Sequence, residues 1–194
     1  MSQSIDHILD HYRLFLLSKS AEDACIIVMN NNTDILSMNV LRSYQDPRGG
    51  TINGCIQPRQ VGSVMKPFLY QVALQRQIIT GGSMLDDSPV SYPLDNGGKY
   101  QPQNFDMQSH GPVTIGQALG SSLNVPAVKL LYSVGVDRYR SRLRQIGEKM
   151  KSDRFRDDDP HQYGLSLALG SQEISPLDVT RMRTMLLDQS DPII

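Results

Sequence analysis

Apolar side chains at Ile5, Ile8, Leu9, Tyr12, Phe15 and Leu16 recur at steps of three and four, which predicts an amphipathic helix ending within 18–21. Cys25-Ile26-Ile27-Val28-Met29 is short, apolar and rich in β-branched residues, the composition of a buried strand. Asn30 to Asp34 tolerates left-handed backbone and can bond its own chain, so a turn follows, and Ile35 to Val40 returns as the second strand of a hairpin. Over 44–61 Gly, Pro, Gln and Asn predict a loop, after which Met65, Phe68, Leu69, Val72 and Ala73 resume the helical step. Residues 80–112 carry repeated Gly and Pro with little periodicity and read as a second irregular stretch. Stretches of this kind in compact domains usually serve function.

Cap signals define the second half. Thr114 with Gln117 three positions on is a capping box opening a short helix to about Leu119. A helix over Asn124 to Val134 carries Pro126 in its first turn, where no backbone donor is missed, and closes at Gly135. Another spans 137–146 and stops at Gly147, and Ser175-Pro176-Leu177-Asp178 opens a last helix with a cap, a proline and an early acid. Helices mixed with a hairpin make this an α/β (α+β) chain.

With 194 residues, 39% hydrophobic and 20% charged, there is enough apolar material for a packed core. A formal charge of -1 gives no electrostatic footprint for a nucleic acid, nor for a membrane surface held by basic residues. The basic stretch 138–156 running into Asp157-Asp158-Asp159 reads as a solvated helix face leading into an acidic loop. No run approaches the roughly 18 apolar residues of a spanning helix, and no charged segment precedes an apolar core at the N-terminus, so neither a spanning segment nor a signal peptide is expected. Cys25 and Cys55 form no CxxC pair, and no His/Cys cluster has metal-ligand spacing, so neither metal nor cofactor is expected. The two thiols read as small buried apolar groups, and spacing alone does not say whether they pair. His110 and His161 stand singly in loops.

The chemistry concentrates at Gly62-Ser63-Val64-Met65-Lys66-Pro67, where a loop enters a helix. A serine hydroxyl is a poor nucleophile until a base takes its proton. Three positions on, Lys66 shares a helix face with Ser63 and its amine can reach the hydroxyl. Burial and the positive helix end both disfavour the ammonium, which lowers the lysine pKa and supplies a neutral base. Ser-x-x-Lys is a short pattern, and by itself an N-capping serine beside a solvated lysine is the better explanation of it.

The surrounding residues add to it. Pro58 to Tyr70 resembles the nucleophile segment of class A penicillin-binding proteins, and Ser122-Leu123-Asn124, followed by Val125-Pro126-Ala127-Val128, matches that superfamily's second motif, Ser-x-Asn. Ser37-Met38-Asn39 fits the same pattern but falls in the predicted hairpin before the nucleophile. Tyr100 to Asp106, His110 to Val113 and Leu165 to Leu177 are also similar, most of all to the C-type bifunctional enzymes. The resemblance covers 23–188, leaving 1–22 as a preceding helix or linker and 23–194 as transpeptidase domain. It implies an antiparallel sheet with a helical subdomain.

It also implies roles. Ser63 attacks the carbonyl between the terminal D-alanines of a peptidoglycan stem peptide, or a β-lactam; Lys66 is its base; Ser122 relays a proton to the departing amine; Asn124 holds the substrate amide and Lys66. Ser122 and Asn124 are equally natural caps for the helix beginning there. The third motif, Lys-(Ser/Thr)-Gly, is absent: Lys19-Ser20-Ala21 and Lys151-Ser152-Asp153 fail at the last residue. In the family that motif lies on a strand beyond 188–192, so the chain is expected to be a fragment, leaving the hairpin with an open edge and completed by a separate chain carrying the missing strands. That strand supplies one oxyanion donor, worth about 100- to 1000-fold in rate, so the chain alone is expected to be a poor catalyst. The resemblance places such a domain outside the cytoplasmic membrane and associated with it. Two other readings remain: a β-lactam-hydrolysing relative using a carboxylate such as Glu173, and an inactive remnant or interaction module.

Overall fold

The computed structural model describes residues 2–21, 24–41, 53–94, 97–150 and 163–187. In chain order these form α1 (Ser2–Ser18), β1 (Cys25–Met29), β2 (Ile35–Val40), β3 (Arg59–Gln60), a 3₁₀ turn (Gly62–Met65), α2 (Lys66–Gln75), β4 (Met84–Asp86), β5 (Tyr92–Pro93) and β6 (Lys99–Tyr100). They continue with β7 (Pro112–Thr114), α3 (Ile115–Gly120), α4 (Asn124–Val134), α5 (Val136–Lys149), a second 3₁₀ segment (Gly164–Leu169), β8 (Glu173–Ile174) and α6 (Pro176–Leu187). Two units divide them: the described residues up to Arg59 with those from Glu173 onward, and those between Gln60 and Gln172. The expected mixture of helices and antiparallel strands is what the chain forms. The parts of the sequence reading that fall on 42–52, 151–162 and 188–194, including Asp157-Asp158-Asp159 and His161, lie outside the described residues.

In the first unit the predicted hairpin is present, with Cys25 opposite Val40 and Ile27 opposite Met38. α1 packs on β2 through Ile5 and Leu9, while Tyr12 and Phe15 stay exposed. Asn39 donates to the Asp6 carboxylate at 2.6 Å and accepts from the Ser37 hydroxyl at 2.5 Å. Ser37-Met38-Asn39 is thereby occupied in joining strand to helix. α6 lies against β1, and the Ser175 hydroxyl caps it by accepting from the Asp178 amide at 3.1 Å.

The second unit has a helical core. α4 packs on α2 and on the second 3₁₀ segment, burying Ala127, Val128, Leu131 and Val134. Residues 80–112 are more ordered than their composition suggests: β4 pairs with β7 (Leu85 opposite Val113), and β5 with β6 (Tyr92 opposite Tyr100). Ladders of two or three residues are too short to show a two-residue period, so pattern alone misses them. α3 opens with the expected capping box, both Thr114 and Gln117 bonds being made. α5 does not stop at Gly147 but runs on to Lys149. Gly147 is on the buried side of the helix, where packing outweighs the roughly 1 kcal/mol that glycine costs in a helix interior.

α4 begins unusually. Its N-cap is Leu123, which has no acceptor, so neither Ser122 nor Asn124 does the capping the sequence allowed. The acceptor comes from elsewhere: Asn104 Oδ1 receives the Asn124 and Val125 amides at 2.8 and 3.3 Å. Asn104 in turn donates through Nδ2 to both oxygens of the fully buried Asp87 at 2.8 Å. Asp87 also accepts from the His110 amide at 2.9 Å and from its ring Nδ1 at 2.7 Å. Burial by itself would raise the Asp87 carboxyl, but the bonds from Asn104 and His110 prevail and hold it below the usual carboxylate range. The bond to Asp87 likewise raises His110 above the ordinary histidine value.

Two backbone segments meet just before α2. Gly62, at φ +62°, donates to the Gly170 carbonyl at 3.1 Å. Gly170 is also left-handed, at φ +73°, and a Cβ there would stand 2.0 Å from the Gly62 oxygen. No side chain fits.

Gly170→Ala is therefore expected to cost about 3 kcal/mol or more, read as a lower urea midpoint with the slope retained. Asn104→Ala strips the α4 cap and leaves a buried carboxylate short of donors, with an expected loss of about 2–3 kcal/mol in the same measurement. Wild-type midpoints for either variant would contradict these packing roles.

Candidate active site

Ser63 lies in the 3₁₀ turn at Gly62–Met65. That turn repeats every three residues, so side chains three apart eclipse one another more closely than in an α-helix. Lys66 is the third residue beyond, and its amide donates to the Ser63 carbonyl. The simple capping explanation for Ser63 fails, because neither this turn nor α2 has a side-chain cap at its start. The companion idea of a solvated lysine fails as well: Lys66 is 1% exposed. Ser63 itself is exposed, and Pro67 sits in the first turn of α2 where it breaks nothing.

The Lys66 side chain crosses to the α3–α4 connection. Its Nζ donates to the Ser122 carbonyl at 2.6 Å, the Ser122 hydroxyl at 3.2 Å and Asn124 Oδ1 at 2.8 Å. An ammonium has three N–H donors, so these acceptors use them all. Ser63 is not among the partners of Nζ. Three of the four residues singled out in the sequence are thus joined directly, and the fourth lies one turn away on the same segment. Burial draws the Lys66 pKa down to about 8, the direction expected from sequence.

Ser122 reaches this position at a cost. α3 ends with the Leu123 amide donating to the Ala118 carbonyl at 2.9 Å and the Ser122 amide to Leu119 at 3.1 Å. Those paired bonds define a Schellman ending, whose left-handed residue is ordinarily glycine. Here it is Ser122, at φ +53°. Left-handed backbone costs a residue with a Cβ about 1–2 kcal/mol. In exchange both the hydroxyl and the carbonyl of Ser122 turn toward Lys66. Asn124, the first residue of α4, accepts from Lys66 and donates through Nδ2 to the Gln103 carbonyl at 2.8 Å.

Sequence reading missed the support behind these groups. Asp87, Asn104 and His110 fix the start of α4, yet they are 17 and 23 positions apart along the chain, and only the Tyr100 to Asp106 and His110 to Val113 resemblances hinted at two of them. Asn104 lies between two clefts. One, of about 430 Å³, has Ser121, Ser122, Gln117 and His110 in its wall; the other, of about 360 Å³, has Gln103, Val125 and Asp87. Glu173, the carboxylate considered for hydrolysis, is exposed on β8 in the other unit.

Among the described residues no helix is long and apolar enough to cross a membrane. The family model for the penicillin binding protein transpeptidase domain matches residues 24–188. Penicillin-binding protein 1C of Escherichia coli is 40% identical over 102 residues, 53% of this chain and 13% of that protein. Penicillin-binding protein 1A of Neisseria meningitidis is 36% identical over 132 residues, 66% of this chain and 15% of that protein. Among solved structures, penicillin-binding protein 1A from Haemophilus influenzae superposes with a TM-score of 0.70 at 27% identity, covering 84% of this chain and 23% of the other. The chain thus spans about a seventh of the length of these curated relatives. A buried lysine shared by a serine and an asparagine of a Ser-x-Asn motif, one turn after an exposed serine, is carried by a chain that belongs to the penicillin-binding protein transpeptidase family.

Proposed function

We propose that this chain contributes the acylating half of a peptidoglycan D,D-transpeptidase site, with Ser63 as nucleophile, Lys66 as its base, and Ser122 and Asn124 as the groups that hold and relay the proton. The observation that carries the reading is the burial of Lys66 against Ser122 and Asn124. A lysine with no functional task would leave its ammonium in water.

The chemistry follows from those contacts. Lys66 in its neutral form accepts the Ser63 proton as the Ser63 oxygen bonds to the carbonyl carbon of a D-Ala-D-Ala amide or a β-lactam. The tetrahedral intermediate then collapses, the C–N bond breaks, and the departing nitrogen takes a proton from Lys66 by way of the Ser122 hydroxyl, 3.2 Å from Nζ. The product is an ester on Ser63, which a second stem peptide's amine resolves. Asn124, with its Nδ2 bound to the Gln103 carbonyl and its Oδ1 to Lys66, fixes the amine's orientation.

No Lys-(Ser/Thr)-Gly occurs in the 194 residues. We assign the second oxyanion donor and the cation for the substrate carboxylate to a segment outside them, in the same or another polypeptide. The setting that suits this substrate is extracytoplasmic, at the membrane surface.

The test is acylation by a fluorescent penicillin, with and without a supplied segment carrying the third motif, followed by peptide mass spectrometry. A single adduct on Ser63 is expected, absent in Ser63→Ala and slowed roughly 10²- to 10⁴-fold in Lys66→Met. No adduct under either condition would sink the proposal. Because the base acts when deprotonated, the acylation rate should rise about tenfold per pH unit below the Lys66 value of about 8 and level off above it. A flat profile from pH 6 to 9 would rule Lys66 out as the base. Ser122→Gly relieves the left-handed strain while deleting the hydroxyl, so stability should stay within about 1 kcal/mol of wild type while acylation slows; equal rates would leave Ser122 with a structural role alone.

A further inference from the structure

In the hairpin unit, outside the proposed site, two thiols far apart in sequence lie side by side. Cys25 opens β1 opposite Val40, and the carbonyl of the neighbouring Asn39 accepts from Cys55 Sγ at 3.8 Å. The Cys25 side chain is near enough to the Cys55 thiol to act on its ionisation. Neither sulfur is in a disulfide.

Both backbones are held in place. Cys25 is fixed by the β1–β2 ladder. The Cys55 amide donates to Asn53 Oδ1 at 3.0 Å, and its carbonyl accepts from the Leu177 amide at the start of α6 at 2.9 Å.

We propose that Cys25 and Cys55 are a dithiol–disulfide site that closes on exposure to a small-molecule disulfide. The two differ in access. Cys55 is fully buried, whereas Cys25 is partly exposed. Burial, and then the nearby Cys25 side chain, push the Cys55 thiol up to about 12, which holds it in the thiol form. Cys25 is therefore the entry point. Its thiolate attacks one sulfur of oxidised glutathione, forming a mixed disulfide and expelling a glutathione thiolate. Cys55 then loses its proton and attacks the Cys25 sulfur, expelling the second glutathione. Two protein thiols are oxidised, one glutathione disulfide is reduced to two thiols, and the chain gains a crosslink.

The crosslink joins β1 to the residue that anchors the start of α6 and closes a loop of about 30 residues, which restricts the unfolded chain far more than the folded one. The test equilibrates the full chain with glutathione redox buffers, quenches in acid, alkylates under denaturing conditions and maps the peptides. Both alkylation sites should disappear together, with a peptide linking Cys25 to Cys55. Cys55→Ala should stop at a glutathione adduct on Cys25, and Cys25→Ser should remain fully alkylated. The crosslinked chain should melt roughly 5–10 °C above the same chain after dithiothreitol. Dual alkylation in oxidised buffer would overturn the proposal. So would a mixed disulfide or an intermolecular dimer as the end product in wild type, or a crosslinked chain that melts no higher than the reduced one.

Discussion

A lysine ammonium withdrawn from water governs the architecture of the second unit. Lys66 is 1% exposed, and an unmet buried cation would cost several kcal/mol. Three acceptors therefore converge on it from the α3–α4 connection, and that connection has to be held in one conformation for the acceptors to stay in place. Ser122 leaves ordinary backbone space to comply, and α4 gives up a local cap so that Asn124 can face the lysine instead of bonding its own helix.

The compensation is found in a second layer. Asp87 is buried without a cation bonded to its carboxylate except where His110 is protonated, and it is satisfied by Asn104 and by the His110 backbone and ring. Asn104 is polar at both ends: its amide nitrogen meets Asp87 while its oxygen caps α4. One side chain thus couples a buried carboxylate to the helix that carries Asn124. A comparable economy of space operates before α2, where Gly170 passes so close to the Gly62 backbone that it admits no side chain, and the turn bearing Ser63 starts from that contact. Among the described residues Ser20, Thr33, Gln77, Met107 and Ser122 are left-handed without being glycine, and of these Ser122 is the one bonded to Lys66.

The hairpin unit is built by other means. It relies on a strand ladder, on Asn39 joining β2 to α1, and on a capped α6 whose first turn anchors Cys55. Its two thiols belong to that framework.

Local signals settled the elements whose causes lie within a few residues. The α1 helix, the Cys25–Met29 strand and its turn, the Thr114/Gln117 box, Pro126 and the Ser175 cap are all present, because each depends on contacts made by near neighbours, although that strand is half-buried where its composition predicted full burial. The Ser63 and Lys66 pair and the Ser122-Leu123-Asn124 motif were legible for a different reason: their spacing and surroundings resemble a known family, and the domain assignment followed from that. Tertiary structure alone decided that Lys66 is buried and bonded to Ser122 and Asn124, that Asn104 caps α4, that the short ladders within 80–112 exist, and that Cys25 meets Cys55. Each of these joins groups tens of residues apart, and the energy that brings them together comes from burial of the whole core, which no local window of sequence contains.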